Sequence, residues 1–158
     1  MIVKTKARLV AKGFSHVQDV DHFQTFAPTP LSASVYIMAA FPNQYGLKIF
    51  DLDVGHGFVR AKLDYETYIK LPNGCGDISG MTVHRNRSLD GLKQSGRRWA
   101  GLLVEIVVEY GMEQYRTDPC DFCMVVDGTV ELIMAVHLDD MVVSGSDETC
   151  KDSMPLWW

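Results

Sequence analysis

Three aspartates are the residues of this chain best suited to hold a metal ion. Asp139 and Asp140 are adjacent in the run AVHLDDMVVS, between apolar segments typical of β-strands and with no basic residue nearby in the sequence. Neighbouring like charges repel each other, so a divalent cation would explain the pair. The alternative is that both are turn residues, because aspartate side chains make the local hydrogen bonds that turns use.

Asp53 is the third acid, at the end of a strand predicted over residues 47–54 in the run FDLDVGHGF. A Mg²⁺ site for phosphoryl transfer takes carboxylates from more than one strand and keeps coordination positions for substrate phosphates. The sequence therefore predicts that Asp53, Asp139 and Asp140 converge on Mg²⁺, for which Mn²⁺ can substitute. His56 and His137, beside these acids, are interpreted as exposed substitutions rather than ligands.

The elements that must position these acids form an α+β pattern. Asp127 and Gly128 favour a type I′ turn between strands at 121–126 and 129–137, and residues 141–144 return as a third strand. We expect an antiparallel sheet with helices packed on one face. Further strands are predicted at 5–10, 66–71 and 81–84.

Two helices are predicted from apolar residues at intervals of three and four. One covers residues 97–110 and ends at Gly111, a residue suited to a left-handed C-terminal cap. The other covers 31–45 but contains Pro42, which lacks the backbone donor that a helix interior needs. We expect this helix to end or kink near Phe41.

Composition indicates a globular protein: 158 residues, 47% hydrophobic and 22% charged. No apolar run approaches the length of a membrane span, and the first residues do not resemble a signal peptide, so we expect an intracellular location without membrane contact. Cys120 and Cys123 form a CxxC, but on a strand they point to opposite faces, which disfavours a zinc site.

The net charge and its distribution along the chain point in opposite directions on nucleic-acid binding. The net charge of −5 argues against a general affinity for nucleic acid. Basic residues nevertheless concentrate in the first twelve positions and again near residue 90, and such patches can hold phosphates. The alternative is two solvated faces. The second patch consists of Arg85, Arg87, Lys93, Arg97 and Arg98.

Six sequence blocks, in order, resemble the reverse transcriptase of copia-type LTR retrotransposons. The likeness runs from about residue 4 to residue 147. The blocks are KARLVAKGF (6–14), TFAP (25–28), QYGLKIFDLDV (44–54), SLDGLKQSGRRW (88–99), DPCDF (118–122) and HLDDMVVSGS (137–146).

The resemblance implies a polymerase-type palm with partial fingers over residues 1–147, followed by an altered or truncated tail at 148–158. It implies RNA-directed DNA synthesis with two Mg²⁺ ions, an RNA template, a DNA primer and deoxynucleoside triphosphates, in the cytoplasm or a virus-like particle. Asp53, Asp139 and Asp140 match the family's metal-binding carboxylates. Phe58 matches the aromatic residue that rejects a ribose 2′-hydroxyl, and Gln94 and Arg8 resemble nucleotide-pocket residues.

Several positions depart from the family pattern. The family's YVDD box is HLDD here, and Asp90 stands where the family has an aromatic residue. The thumb and RNase H regions that the family carries have no counterpart in these 158 residues. We therefore expect weak or no activity from this chain alone, and the alternative function is a non-catalytic remnant that binds nucleic acid or protein.

Overall fold

The computed structural model describes residues 8–146 and 148–150, which divide into two compact units. The first unit comprises residues 8–26 and 58–98, and the second comprises the described residues of 27–57 and 99–158. Residues 151–158 of the tail predicted at 148–158 lie outside the described residues. So do residues 5–7 of the strand predicted at 5–10, whose residues 8–10 have no regular structure. The helices are α1 (Ser32–Tyr45), α2 (Gly57–Arg60) and α3 (Ser95–Glu109). The strands are β1 (Lys48–Asp53), β2 (Lys62–Lys70), β3 (Thr82–Arg87), β4 (Glu113–Gln114), β5 (Asp121–Val126), β6 (Thr129–His137) and β7 (Asp140–Gly145).

The second unit contains an antiparallel sheet with the strand order β1-β7-β6-β5-β4. Asp127 and Gly128 join β5 to β6 with φ angles of 50° and 78°, the two positive values that a type I′ turn requires. The predicted three-strand meander is therefore confirmed. Strand β1 pairs with β7 at the edge of this meander. Because the two strands are antiparallel, the end of β1 lies beside the start of β7.

Strand β6 is covered on both of its faces. Five consecutive side chains, from Leu132 to Val136, are each less than 9% exposed, although successive residues of a strand point to opposite sides. On one side, Met38 of α1 packs with Cys123, Ile133 and Ala135. On the other side, Leu103 of α3 lines a small cavity together with Phe122 and Val136. The α+β prediction is confirmed, but the prediction that the helices pack on one face of the sheet is wrong. The sequence did not reveal this arrangement, because the apolar run LIMAV (132–136) does not show which partner covers each side of the strand.

Helix α1 continues through Pro42 instead of ending at Phe41. Its last residue is Tyr45, followed by Gly46 in the left-handed conformation at φ 64°, and the Gly46 and Leu47 N–H groups both donate to the Pro42 carbonyl. Pro42 is buried, and it removes only one donor, close to the helix end. Burial and the C-terminal cap outweigh that loss. The predicted end at Phe41 is therefore wrong, and the alternative, a kink there, stays a prediction.

The start of α1 is capped by a residue distant in sequence. Leu31, at the N-cap, provides no side-chain hydrogen bond of its own. Asp118 Oδ2 instead accepts from the Leu31 N–H at 2.7 Å and from the Ser34 hydroxyl, while Oδ1 accepts from the Cys120 N–H at 2.9 Å. Burial opposes ionisation, yet these hydrogen bonds prevail and lower the pKa of Asp118.

Helix α3 buries the apolar stripe that its sequence predicts. Trp99, Leu103 and Val107 are each at most 2% exposed. Gly111 has φ 99°, and the Met112 N–H donates to the Val107 carbonyl at 3.2 Å, which is the predicted left-handed termination. Among the described residues, no helix combines the length and apolar character that a membrane span needs.

In the first unit, β2 and β3 form an antiparallel hairpin that is longer than predicted. Beside it, two glycines bring the segments around residues 12 and 90 into backbone contact. A Cβ on Gly91, whose φ is 87°, would lie 2.2 Å from the Ala11 carbonyl oxygen, and one on Gly13 would lie 1.9 Å from the Gly91 carbonyl oxygen. The Ala11 N–H donates to the Asp90 carbonyl at 2.8 Å, so the contact is also hydrogen-bonded.

Candidate active site

Asp53 and Asp140 are direct cross-strand partners in the second unit. The Val54 N–H donates to the Asp139 carbonyl at 3.0 Å, so the Asp53–Asp140 pair adjoins that bond and is of the non-hydrogen-bonded type. In such pairs the Cα atoms are roughly 4.5 Å apart and the side chains lie on the same face. Sheet register thus brings together two acids that are far apart in the sequence.

Asp139 lies in the two-residue turn between β6 and β7. His137 pairs with Asp140, so Leu138 and Asp139 form the turn. Leu138 has φ 59°, a left-handed conformation that costs a residue with a Cβ about 1–2 kcal/mol. His137 is exposed and shares a sheet face with Asp140, and His56 is exposed with φ 60°.

Trp99 holds this turn and the segment after Asp53. Its indole Nε1–H donates to the Leu138 carbonyl at 2.8 Å. A Cβ on Gly57 would lie 2.8 Å from the indole ring, so this glycine allows the chain to pass close to Trp99. Val54, the first residue between Asp53 and Gly57, is only 2% exposed. The buried side chain of Trp99 therefore supports both segments that flank the acid pair: the turn before Asp140 and the segment after Asp53.

The donor chemistry of the three acids fits a hard divalent cation. Asp53 and Asp140 are exposed and Asp139 is half-buried, and none of them forms an ion pair with a Lys or Arg of the described residues. Carboxylate oxygens without a basic partner are the ligands that Mg²⁺ and Mn²⁺ prefer. In the described ranges, however, no group of three or more His, Cys, Asp or Glu is close enough together to hold a metal ion.

The three residues predicted for a nucleotide pocket lie in the first unit. Phe58 is half-buried in α2. Gln94 is 5% exposed, and neither end of its buried amide has a hydrogen-bond partner among the described residues. The guanidinium of Arg8 is 3.6 Å from the Asp90 carboxylate, an exposed ion pair of little strength. Asp90, the departure from the family pattern, thus has a partner.

The loop that carries Gln94 is fixed by serine hydroxyl groups. Ser88 Oγ–H donates to Ser95 Oγ, and Ser95 Oγ–H donates to the Leu89 carbonyl at 2.6 Å. Both serines are buried. The unpaired amide of Gln94 therefore belongs to a well-held loop, and a buried amide without partners costs about 1–3 kcal/mol until a ligand pairs with it.

The predicted basic patch is partly bound to its own unit. Arg98 donates to the Lys62 carbonyl at 2.8 Å and pairs with Asp64 at 2.8 Å. Arg87 donates to the Arg60 carbonyl and Arg85 to the Ser88 carbonyl. Lys93 and Arg97 are exposed and make no hydrogen bond or ion pair with the described residues.

A second basic surface of the first unit joins Arg8 and Lys12, from the basic patch predicted in the first twelve residues, to Lys70, which sequence reasoning missed. A groove of about 830 Å³ is lined by Arg8, Lys12 and Lys70, by the turn at Pro72, and by no acidic residue. We name it the basic groove. Lys70 is the last residue of β2 and lies far along the chain from Arg8 and Lys12. The sequence signal for Lys70 is the alternation in ETYIK (66–70), which places this lysine on the exposed side of the strand.

Comparison with known proteins identifies the class. The family model described as reverse transcriptase (RNA-dependent DNA polymerase) matches residues 1–154. The chain therefore belongs to the reverse transcriptase family, and its relatives show that it is of the copia type.

Three relatives illustrate this relationship. The chain is 29% identical over 150 residues to the Retrovirus-related Pol polyprotein from transposon TNT 1-94 of Nicotiana tabacum, covering 93% of this chain and 11% of that polyprotein. It is 30% identical over 146 residues to the corresponding polyprotein from transposon RE1 of Arabidopsis thaliana, covering 91% and 10%. It is 29% identical over 150 residues to the Transposon Ty1-H Gag-Pol polyprotein of Saccharomyces cerevisiae, covering 90% and 8%. The chain thus spans about a tenth of the length of these relatives.

Proposed function

We propose that this chain carries the nucleotidyl-transfer centre of an RNA-directed DNA polymerase. The observation that carries the proposal is the Asp53–Asp140 cross-strand pair, with Asp139 in the adjoining turn. Asp53 and Asp140 would hold Mg²⁺ or Mn²⁺ from two strands, and Asp139 would add a carboxylate from the turn. The chemistry that bound divalent ions would supply there is activation of a primer 3′-hydroxyl and stabilisation of the leaving pyrophosphate in phosphoryl transfer.

The chain's own residues position the ions and the substrates. The carboxylates on a shared sheet face supply negative charge that only a cation neutralises, since they have no basic partner among the described residues. Gln94 supports nucleotide binding because its buried amide is unpaired. Phe58 acts as the aromatic gate against a ribose 2′-hydroxyl. Arg8 contacts the triphosphate, which requires release from Asp90, a small cost for an exposed ion pair.

The nucleic-acid strand binds through basic residues of the first unit. The basic groove contributes Lys12 and Lys70, and the exposed Lys93 and Arg97 contribute a second patch. Neutralised phosphates release counterions, so template binding weakens as salt rises. In a longer polyprotein, other regions complete the grip on the duplex, and synthesis takes place in the cytoplasm or a virus-like particle.

Primer extension on an RNA template, with Mg²⁺ or Mn²⁺, tests this function. We expect Asp53→Asn and Asp140→Asn each to lower extension at least about a hundredfold. Asp51→Asn is the matched control, because Asp51 is exposed on the same strand and face but pairs with Val142. Equal loss in Asp51→Asn and Asp53→Asn would contradict the assignment.

A non-catalytic remnant is the second candidate. The absence of a three-residue metal cluster in the described part of the chain favours it. It predicts salt-dependent template binding with no extension at any Mg²⁺ or Mn²⁺ concentration. Extension that disappears in Asp140→Asn would exclude it.

A further inference from the structure

The second unit contains a cavity that the proposed polymerase function does not use. It has a volume of about 250 Å³ and lies between α1 and the sheet, against β5 and β6. A cavity of ~150 Å³ with apolar walls holds benzene, so this one accommodates a ligand of roughly ten non-hydrogen atoms. The apolar side chains that line it include Leu31, Ala33, Ile37, Met38 and Ile133.

The cavity is open to ligands from one side. Leu31, Ile37 and Tyr115 all line it, and they are 53%, 60% and 42% exposed. Met38 and Ile133, by contrast, are buried and form its inner wall. A small molecule can therefore enter between exposed side chains and bury its apolar part against the core.

Asp121 is the charged residue that lines this cavity within the described part of the chain. Its carboxylate accepts no hydrogen bond from the described residues: Oδ1 is shielded from water and unpaired, whereas Oδ2 is not shielded. No described Lys or Arg forms an ion pair with Asp121. A carboxylate beside apolar walls is unfavourable until a donor pairs with it.

The nearest hydroxyl group is already engaged. Ser34 Oγ–H donates its single hydrogen to Asp118 Oδ2, which also accepts from the Leu31 N–H. Burial, together with the charge of Asp118, raises the pKa of Asp121, and the Ser34 hydroxyl offsets this only in part. The cavity thus has negative charge on its wall and lacks a cation to balance it.

We propose that this cavity binds a small organic amine, whose apolar body lies between α1 and the sheet and whose ammonium group donates to Asp121. The walls bury the body, and the ammonium supplies a charge-assisted hydrogen bond. An anion of the same size would be repelled, and a hydrocarbon would leave the carboxylate unpaired. The site is independent of the three aspartates proposed to bind Mg²⁺ and does not depend on polymerase activity.

Methyl NMR of the full chain, titrated with 2-phenylethylamine, tests the proposal. We expect the methyl resonances of Ile37 and Ile133 to shift together and saturate, while Ile106 on α3 stays unchanged. Ile49 lines a different apolar cavity, beside Asp140, and reports on binding there. Shifts confined to Ile49 would overturn the proposal. So would the absence of a saturable shift up to roughly tenfold above the millimolar dissociation constants expected for ligands of this size.

A set of probes that differ only in the polar group tests the role of charge. We expect 2-phenylethylamine to bind about tenfold or more tightly than 2-phenylethanol, because its hydrogen bond to the carboxylate is charge-assisted on both sides. Phenylacetate, an anion, should bind most weakly. Equal affinity of the amine and the alcohol would overturn the proposal.

Asp121→Asn keeps the shape of the side chain and removes its charge. It should weaken binding of 2-phenylethylamine about tenfold and change binding of 2-phenylethanol by less than about twofold. Asp127→Asn is the matched control, because Asp127 is exposed in the β5–β6 turn, outside the cavity, and the net charge changes equally. Equal losses in the two variants would show non-specific attraction to an acidic protein and overturn the proposal.

A variant that fills the cavity provides a second measurement. Ala33→Leu adds apolar volume at the cavity wall and should weaken binding of both the amine and the alcohol about tenfold or more. Ala40→Leu, at an exposed position of the same helix outside the cavity, is the control and should leave both unchanged. Amine affinity that survives Ala33→Leu would overturn the proposal.

Discussion

The indole nitrogen of Trp99 donates a 2.8 Å hydrogen bond to the carbonyl oxygen of Leu138, at the turn between β6 and β7. Leu138 is the turn residue with φ 59°, and Asp139 and Asp140 follow it directly. A buried helix residue thus holds a strained turn beside the proposed metal ligands. The first prediction concerns this bond.

Trp99→Phe should lower the free energy of unfolding by about 1–2 kcal/mol, because the carbonyl of the half-buried Leu138 loses its donor. We also expect weaker Mg²⁺ binding, measured by calorimetry, because the turn that carries Asp139 loses its support. Ile106→Val is the control: it removes one methyl group from a half-buried position of α3, about two turns beyond Trp99, at a cost of about 1 kcal/mol. If both variants bind Mg²⁺ equally, Trp99 does not position the acids.

Asp53→Asn should stabilise the metal-free protein by up to about 1 kcal/mol, because like charges directly opposite each other in a sheet are destabilising. The same variant should lose the rise in melting temperature that Mg²⁺ gives the parent, since bound ligand stabilises the folded state. Thermal unfolding with and without Mg²⁺ measures both effects. Asp51→Asn should show neither, and an identical response of the two variants would argue against a metal-binding pair.

Substitution of Asp118 and substitution of Asp121 should affect the free energy of unfolding differently. Hydrogen bonds lower the pKa of Asp118, so its stabilising contribution is present above its ordinary pKa and is lost as pH falls through the lowered value. Asp118→Asn should cost about 2 kcal/mol at neutral pH and progressively less in acid, where the parent also loses the charge.

Burial, together with the charge of Asp118, raises the pKa of Asp121. Its stabilising contribution is therefore present at low pH and is lost as pH rises through the raised value. Asp121→Asn should leave neutral stability equal or higher. Urea unfolding from about pH 3 to pH 7 measures both variants, and a shared direction at neutral pH would contradict the two environments.

Gly91→Ala should destabilise the first unit by about 2 kcal/mol or more, because the new Cβ would meet the Ala11 carbonyl and the φ of 87° is unfavourable. Gly76→Ala is a matched control with φ 61° but nothing within 4 Å, so it isolates the cost of the backbone angle. Denaturant unfolding of both variants gives the difference. Equal losses would mean that the close approach to Ala11 contributes nothing.

The features predictable from sequence were those set by local patterns. The Asp127–Gly128 turn and the strand patterns on either side of it predicted the meander. The apolar stripe of α3 predicted which side of that helix is buried. The pairing of Asp53 with Asp140 agrees with the expected convergence, although metal binding by these residues stays a prediction.

What escaped prediction depends on contacts between distant segments. The cap that Asp118 gives to α1, the contact of Gly91 with Ala11, and the inclusion of Lys70 in the basic groove join residues far apart in sequence. Pro42 was misjudged for the same reason, since its burial offsets the missing donor. Periodicity reports one element at a time and contains no information on such partners.

The continuous burial of β6 has a consequence for the hairpin that it begins. Amide hydrogens along a strand shielded on both sides exchange with solvent slowly, because exchange there requires wide opening of the domain. Asp140 is hydrogen-bonded into the ladder with the end of that strand. Local fraying at the tip is consequently limited to Leu138 and Asp139, and the backbone of Asp140 keeps its place for as long as the sheet itself persists.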